Sequence, residues 1–315
     1  MVIENVKPKF WVEKERLNSK IVDCLTVILR TSGCYWAKKS GCLMCNYIAD
    51  AYPSTYDELV NQIEFAMSNK NFQILKIFTS GSFFDTKEVP ERFREYIYSK
   101  AYELGIKKLI VESRPEFITS KIVDELSALK FEVEVGIGLE TANDFVREYC
   151  INKGFKFKDF ERAARLLKGK ARVKAYLLLK PPFLSEREAI EDAINSTLKI
   201  KNLVDVVSLN PTNVQSKTYV EKLWKLKLYR PPWLWSVVEV LRQVSKEVDI
   251  ISDPVAAGKI RGPHNCGRCD KDVAKAIKEF SLHKDVSVLD VECECKALWE
   301  KILELEDYSR IPLVK

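Results

Sequence analysis

The sequence predicts an α/β protein: a (β/α)6 partial barrel, with a small C-terminal α+β extension that binds metal. Three observations lead there. Apolar, strand-like runs alternate six times with amphipathic helical segments between residues 24 and 215, the pattern of repeated βα units and a parallel sheet. Several runs, such as Val173-Lys-Ala-Tyr-Leu-Leu-Leu179, are apolar nearly throughout, as expected of strands covered on both faces. The unusual polar residues gather directly after each run, where barrels of this kind carry their chemistry.

Taken in order, residues 1–23 are polar and mixed, an extended lead-in packing on the domain that spans 24–215. The predicted strands are Cys24 to Arg30, Gln73 to Phe78, Lys107 to Glu112, Phe131 to Gly138, Arg172 to Lys180 and Val204 to Leu209. Helices are predicted at Tyr56 to Met67, Pro90 to Glu103, Ser120 to Leu129, Phe157 to Leu167 and Glu186 to Lys199. Ser54 with Asp57 and Ser185 with Glu188 have capping-box spacing at two of those starts. The third segment, 216–315, opens with a basic aromatic stretch, Lys217 to Arg230, and a helix from Pro231-Pro-Trp233-Leu-Trp235 to about Lys246. Those two tryptophans suit either base stacking or packing against the domain.

With 46% apolar and 30% charged side chains in 315 residues, the composition is that of an ordinary globular chain. No apolar run approaches the roughly 18 residues of a membrane helix, so no membrane partner and a cytoplasmic location are expected. The net charge of +6 is uneven: Ile151 to Lys180 holds ten Lys or Arg against Asp159 and Glu161. Such a surplus suits an anionic partner, nucleic acid first, or else a solvated helix face.

Cys34, Cys42 and Cys45 lie on the loop after the first predicted strand, seven residues apart and then two. Nine cysteines is an odd number and no apolar leader opens the chain, which argues against a disulfide framework. Three thiolates held together can ligate three irons of a 4Fe-4S cluster and leave the fourth iron open to another ligand. From spacing alone, a structural zinc site remains open as well. Cys24, in a strand run, and Cys150, among helical residues, read as core thiols.

The second group is Cys266-Gly-Arg-Cys269 with Cys293-Glu-Cys295. Cys266 and Cys269 have the spacing of a zinc knuckle, and Cys293 and Cys295 can close a four-thiolate structural zinc site. An auxiliary iron–sulfur cluster and unligated thiols stay open, as does replacement of one sulfur by His264.

With these motifs assembled, the sequence resembles the radical-SAM subunits of archaeosine synthase, archaeal tRNA-modifying proteins. The resemblance runs from about Thr26 to the end of the chain. It rests on the cysteine loop, Gly81-Ser-Phe-Phe-Asp85, Glu112-Ser-Arg-Pro115, Gly138-Leu-Glu-Thr141, Asn152-Lys-Gly154, Tyr176 to Pro182, Asn210-Pro-Thr-Asn213 and Cys266-Gly-Arg-Cys269. It implies that Cys34, Cys42 and Cys45 hold a 4Fe-4S cluster that binds S-adenosylmethionine (SAM), with Met44 shielding it. Gly81 and Ser82 would receive the SAM amino group, Arg114 its carboxylate and Glu140 its ribose hydroxyls. Here Gly81-Ser82 stands where the superfamily usually has Gly-Gly-Glu. For Arg114, a salt bridge to Glu112 or Glu140 is the competing expectation.

The implied reaction is radical cleavage of a lysine C–N bond on 7-cyano-7-deazaguanine of tRNA, giving archaeosine. It needs a lysine-transferring, transglycosylase-like partner subunit and a reducing electron donor. Lys153, Lys156, Lys158, Arg172 and Lys174 would then neutralise tRNA phosphates. The alternatives are another radical-SAM RNA modification, such as methylthiolation, and a non-catalytic, zinc-stabilised RNA-binding protein.

Overall fold

A computed structural model describes residues 6–68 and 70–309. The fold is α/β, with one eight-stranded sheet whose strands follow chain order: β1 (Lys9–Leu17), β2 (Lys20–Ile28), β3 (Ile74–Phe78), β4 (Lys108–Ser113), β5 (Glu132–Glu140), β6 (Arg172–Leu179), β7 (Val206–Pro211) and β8 (Ile250–Ile251). From β2 to β5 the pairing is parallel, as it is between β7 and β8. The six expected strands are present, joined by helices as expected. The partial-barrel architecture holds.

Two strands escape the sequence reading. β1 lies within the expected lead-in and pairs antiparallel with β2 through a tight turn at Asn18, whose φ is +56°, a conformation asparagine tolerates in two-residue hairpins. Its sequence looks polar because Glu13 and Glu15 meet the buried Lys76 ammonium on β3, at 2.9 and 2.7 Å. β8 is only two residues long. Ser54 is corrected too: the capping box belongs to Thr55 and Glu58, while the Ser54 hydroxyl donates to the Arg30 carbonyl. The Ser185 and Glu188 box forms as expected.

The chain divides into two compact units. The first comprises Met1–Lys39, Tyr47–Gly138 and Asp159–Lys174. Its core is the parallel sheet, where Leu25, Val27, Ile77 and Val111 are fully buried. Glu134 sits in that sheet with almost no exposure, 2.6 Å from Lys108 and 2.5 Å from Lys174. Burial alone would raise its pKa, but the two ammonium groups more than offset it and hold the carboxyl below its usual range.

The second unit comprises Ser40–Asn46, Leu139–Lys158 and Ala175–Lys315. Here the helices Glu186–Ile200 and Leu234–Val244 pack together around a buried carboxylate. Glu186 accepts from Lys180 Nζ at 2.6 Å, Trp233 N at 2.7 Å and Ser236 Oγ at 2.6 Å, so its desolvation is compensated. Trp233 and Trp235 are buried in this packing, which settles their role in favour of the core. Among the described residues no helix is long and apolar enough to cross a membrane.

Candidate functional site

The loop after β2 enters its business end through Thr31, Ser32 and Gly33 and reaches Cys34 immediately before a short helix, Tyr35–Lys39. That helix occupies most of the seven-residue gap. In the first unit, the loop after β3 presses directly on Cys34: a Cβ on Gly81 would stand 2.6 Å from Cys34 Cα, closer than real Cβ atoms approach. Only glycine fits there. The buried Glu88 ties the two loops together, accepting from the Thr31 hydroxyl at 2.6 Å and from Ser82 N at 2.7 Å. Burial raises the Glu88 pKa, and these hydrogen bonds pull part of the way back.

Arg114 follows β4 and is 6% exposed. It pairs with Glu116, whose Oε1 accepts from Arg114 Nε at 2.6 Å. The guanidinium lies 5.4 Å from the Tyr35 ring centroid and 5.7 Å from that of Trp36. Tyr35 also donates its hydroxyl to Glu116, and burial together with that bond pushes the phenol up to about 12. Burial by itself lowers Arg114, but Glu116 outweighs it, so the group stays a cation. Ser82 Oγ accepts from Arg114 N at 3.1 Å. Gly81, Ser82 and Arg114 are therefore one connected corner of the first unit with Cys34.

Cys42, Met44 and Cys45 belong to the second unit. A turn is closed by Cys45 N donating to the Cys42 carbonyl at 3.2 Å, and Leu43 N donates to the Ile151 carbonyl at 2.9 Å. Leu43 O in turn accepts from Tyr219 N, and Asn46 N donates to Gln215 Oε1 at 2.7 Å. Asn152 adopts φ +59° at the end of a π-helical turn, Val146–Ile151, and donates its amide to Gly41 O at 2.6 Å. The Asn152-Lys-Gly154 motif is thus a clamp on the cysteine loop. Glu140 ends β5 at φ +67°, which a non-glycine residue rarely adopts. Its carboxylate holds Lys153 Nζ at 2.5 Å.

The second cysteine group is closed. Sγ separations are 3.9 Å for Cys266–Cys269, 3.8 Å for Cys266–Cys293 and 3.6 Å for Cys269–Cys295. Four sulfurs at about 2.3 Å from a central zinc stand about 3.8 Å apart, so the set fits one tetrahedral ion. Gly267, at φ +89°, makes the knuckle turn, and Asp270 caps it by accepting from Gly267 N and Asn265 N. Hydrogen bonds from the backbone of Cys269 and Arg268 bring the Cys266 thiol down to about 6, favouring thiolate, while burial raises Cys269 and Cys295. His264 is not part of the set; its Nδ1 turns to the Gly262 carbonyl at 2.8 Å.

Of the five residues expected at tRNA phosphates, the structure pairs three with carboxylates. Lys174 is buried on Glu134, and Arg172 lies 3.4 Å from the same carboxylate. Lys153 is committed to Glu140. Lys156 and Lys158 alone of the five are exposed.

No family model matches the chain. Archaeosine synthase subunit beta of Methanosarcina acetivorans is 44% identical over 312 residues, 95% of this chain and 90% of the relative. The protein of the same description from Thermococcus kodakarensis is 40% identical over 94% of this chain and 96% of its own length. The chain belongs to the archaeosine synthase subunit beta family. It is an enzyme family, and the solved structures agree on its fold, that of radical-SAM enzymes. A queuine lyase from Clostridium spiroforme, bound to SAM and queuine, has a TM-score of 0.51 at 23% identity, over 76% of this chain and 94% of its own. A radical SAM methyltransferase from Sphaerobacter thermophilus gives 0.52 at 14% identity, over 78% and 76%.

In this member of the family, two residues that sequence reasoning passed over organise the loops of the first unit: Glu88 and Glu116. Glu88 lies six residues beyond Ser82 in a loop with no spacing signal. Glu116 follows Arg114 by two, and that proximity was the available clue.

Proposed function

We propose that the chain is the radical-generating subunit of archaeosine synthesis, with Cys34, Cys42 and Cys45 as ligands of a 4Fe-4S cluster and SAM on its open iron. Once bound, cluster and SAM supply a 5′-deoxyadenosyl radical when a reducing donor delivers an electron. Three thiolates at one loop suit that donor set, since three protein ligands leave one iron for a chelating cofactor. The protein's work is to bind, orient and exclude water. Gly81 and Ser82 offer backbone for the SAM amino group. Arg114, a buried cation kept charged by Glu116, pairs with the SAM carboxylate in this reading. Glu140, steered by Lys153, faces the ribose hydroxyls in this reading. Met44, itself buried, shields the cluster.

The substrate is tRNA whose 7-cyano-7-deazaguanine has received lysine from a transglycosylase-like partner subunit in the cytoplasm. Breaking the lysine side chain's C–N bond leaves the formamidine of archaeosine. The four C-terminal thiolates hold a structural zinc, which fastens the Cys266 knuckle to the helix starting at Cys295. What carries the reading is the 44% identity along 95% of the chain, combined with a glycine at position 81, where any Cβ would overlap Glu88 and the Cys34 backbone.

The test is nucleoside mass spectrometry on tRNA treated with the partner, lysine, SAM, reductant and cluster-loaded protein. Archaeosine and 5′-deoxyadenosine are expected together. SAM cleavage that leaves the lysine-modified base intact would contradict the substrate; protein holding two zinc ions and no iron would contradict the chemistry.

A further inference from the structure

The second unit contains a cavity of about 370 Å³ whose walls include Phe183, Trp224, Tyr229 and Arg230, within the range of about 300–1,000 Å³ typical of ligand sites. None of these residues has a part in the cluster or SAM roles proposed above. Three independent features of the cavity point to one kind of ligand.

The Arg230 guanidinium is half-buried over the Trp233 ring at 4.1 Å. Its hydrogen bonds among the described residues go to carbonyls, Pro231 O at 2.8 Å and His264 O at 2.7 Å, and none to a carboxylate. Glu306 also lines the cavity but accepts from Glu186 N, and Glu186, Asp270 and Glu306 act on Arg230 through space without a hydrogen bond to it, so the guanidinium N–H groups can still take a phosphate oxygen. The backbone is strained in the same place. Of nine non-glycine residues with positive φ among those described, Lys180 (+62°), Phe183 (+75°) and Lys227 (+59°) all line this cavity, and such strain concentrates at ligand sites.

Charge is the third feature. Residues 215–231 carry five Lys or Arg against Glu221, and 255–268 carry three against no acid, a surplus of seven that exceeds the whole chain's +6. The two segments are joined by Val214 N donating to Arg261 O and by the Arg261–Glu221 ion pair. Lys222, Lys225, Lys227 and Lys259 are exposed on them. A protein partner would suit the exposed Leu226 and Leu228. Lys227 and Arg230 on the cavity wall, with exposed Lys222 and Lys225 on the adjoining helix, suit a single-stranded polyanion better, because bases stack on aromatic faces while phosphates take the cations.

Resting on the reading of the chain as a tRNA-modifying enzyme, we infer that this cavity and the exposed lysines of the segment that carries it are the RNA-binding subsite: an unpaired nucleotide enters, its base against Phe183 and Trp224 and a phosphate on Arg230. It takes the role that the sequence suggested for residues 153–174.

The experiment is equilibrium binding of a fluorescein-labelled tRNA transcript to the full chain, followed by anisotropy across salt concentrations. The surface triple variant Lys222→Glu/Lys225→Glu/Lys227→Glu should weaken binding by about tenfold or more and reduce the log–log salt slope by about 2–3. Arg230→Gln should cost about tenfold in protein that its melting transition shows to be folded at the assay temperature, whereas Lys156→Glu/Lys158→Glu should change binding less than about twofold. SAM cleavage without RNA should be unaffected in the triple variant. Wild-type affinity in both the triple variant and Arg230→Gln, or the loss falling on Lys156→Glu/Lys158→Glu, would overturn the subsite. So would a triple variant that binds tRNA normally but no longer binds the lysine-transferring subunit, which would make the face a protein dock. Failure of loaded wild-type protein to cleave SAM would instead count against the proposed function, since the binding readout needs no radical chemistry.

Discussion

In the proposed reading, the two cysteine groups use the same side chain for opposite ends. Cys266, Cys269, Cys293 and Cys295 converge to Sγ separations of 3.6–3.9 Å along the measured edges, with Cys269 and Cys295 buried and Trp235 Nε1 donating to Cys295 Sγ at 3.3 Å. Four ligands around one ion leave no position for chemistry. Cys34, Cys42 and Cys45 are all half-buried, and their loop is anchored through neighbours: Gly81 and Glu88 beside Cys34, Asn152 and Ile151 beside Cys42. In the proposed reading these three ligate a cluster, and three protein ligands would leave one iron open to another ligand. The difference teaches that count and support, more than the presence of cysteine, separate a fastening site from a working one.

Substitutions can break that contrast. Cys42→Ala should abolish SAM cleavage, by about three orders of magnitude or more, because the cluster loses a ligand, while the melting temperature of the metal-free chain stays near wild type. 5′-Deoxyadenosine measured by chromatography decides it; a variant of wild-type activity would end the cluster assignment. Cys269→Ser should do the reverse. Losing a closed metal site costs stability on the order of 3–5 kcal/mol, read by denaturant unfolding, with turnover of the surviving folded protein little changed.

Gly81→Ala tests the support beneath the trio. Its Cβ would overlap the backbone of Cys34, so SAM cleavage should fall by about 10–100-fold with a stability loss of about 1–3 kcal/mol; wild-type kinetics would show that the Gly81 approach is irrelevant. Glu88→Gln is the smallest change. A carboxyl whose folded pKa is raised above its unfolded value favours the protonated fold, so it costs stability as pH rises through the carboxylate range. Glutamine removes that cost. The variant should be as stable as wild type or slightly more so near pH 7, by about 1 kcal/mol or less, and the advantage should vanish by about pH 4; an unchanged difference across that range would contradict the buried charge.

Much of this was readable from residues alone. Helices Tyr56–Met67 and Phe157–Leu167 fall on their predicted bounds because amphipathic periodicity and caps act locally. The C-terminal thiols were legible from knuckle spacing. What failed was charge inside the sheet. Lys174 on Glu134 and Glu13 with Glu15 on Lys76 are strand residues pointing inward, and in a sequence an inward charge looks the same as a solvated one. That hid β1 and made residues 153–174 look like a phosphate surface. The seven-residue cysteine gap, odd as a spacing, is a helical turn, Tyr35–Lys39, inserted between ligands. Pairings such as Arg114 with Glu116 depend on rotamers that no spacing encodes.

The most direct measurement is iron and zinc per chain in anaerobically reconstituted wild-type protein and in the Cys34→Ala/Cys42→Ala/Cys45→Ala variant. The open-and-closed account predicts about four iron and one zinc in the first, and one zinc with no iron in the second. Zinc in both groups, or iron that survives the triple substitution, would contradict it.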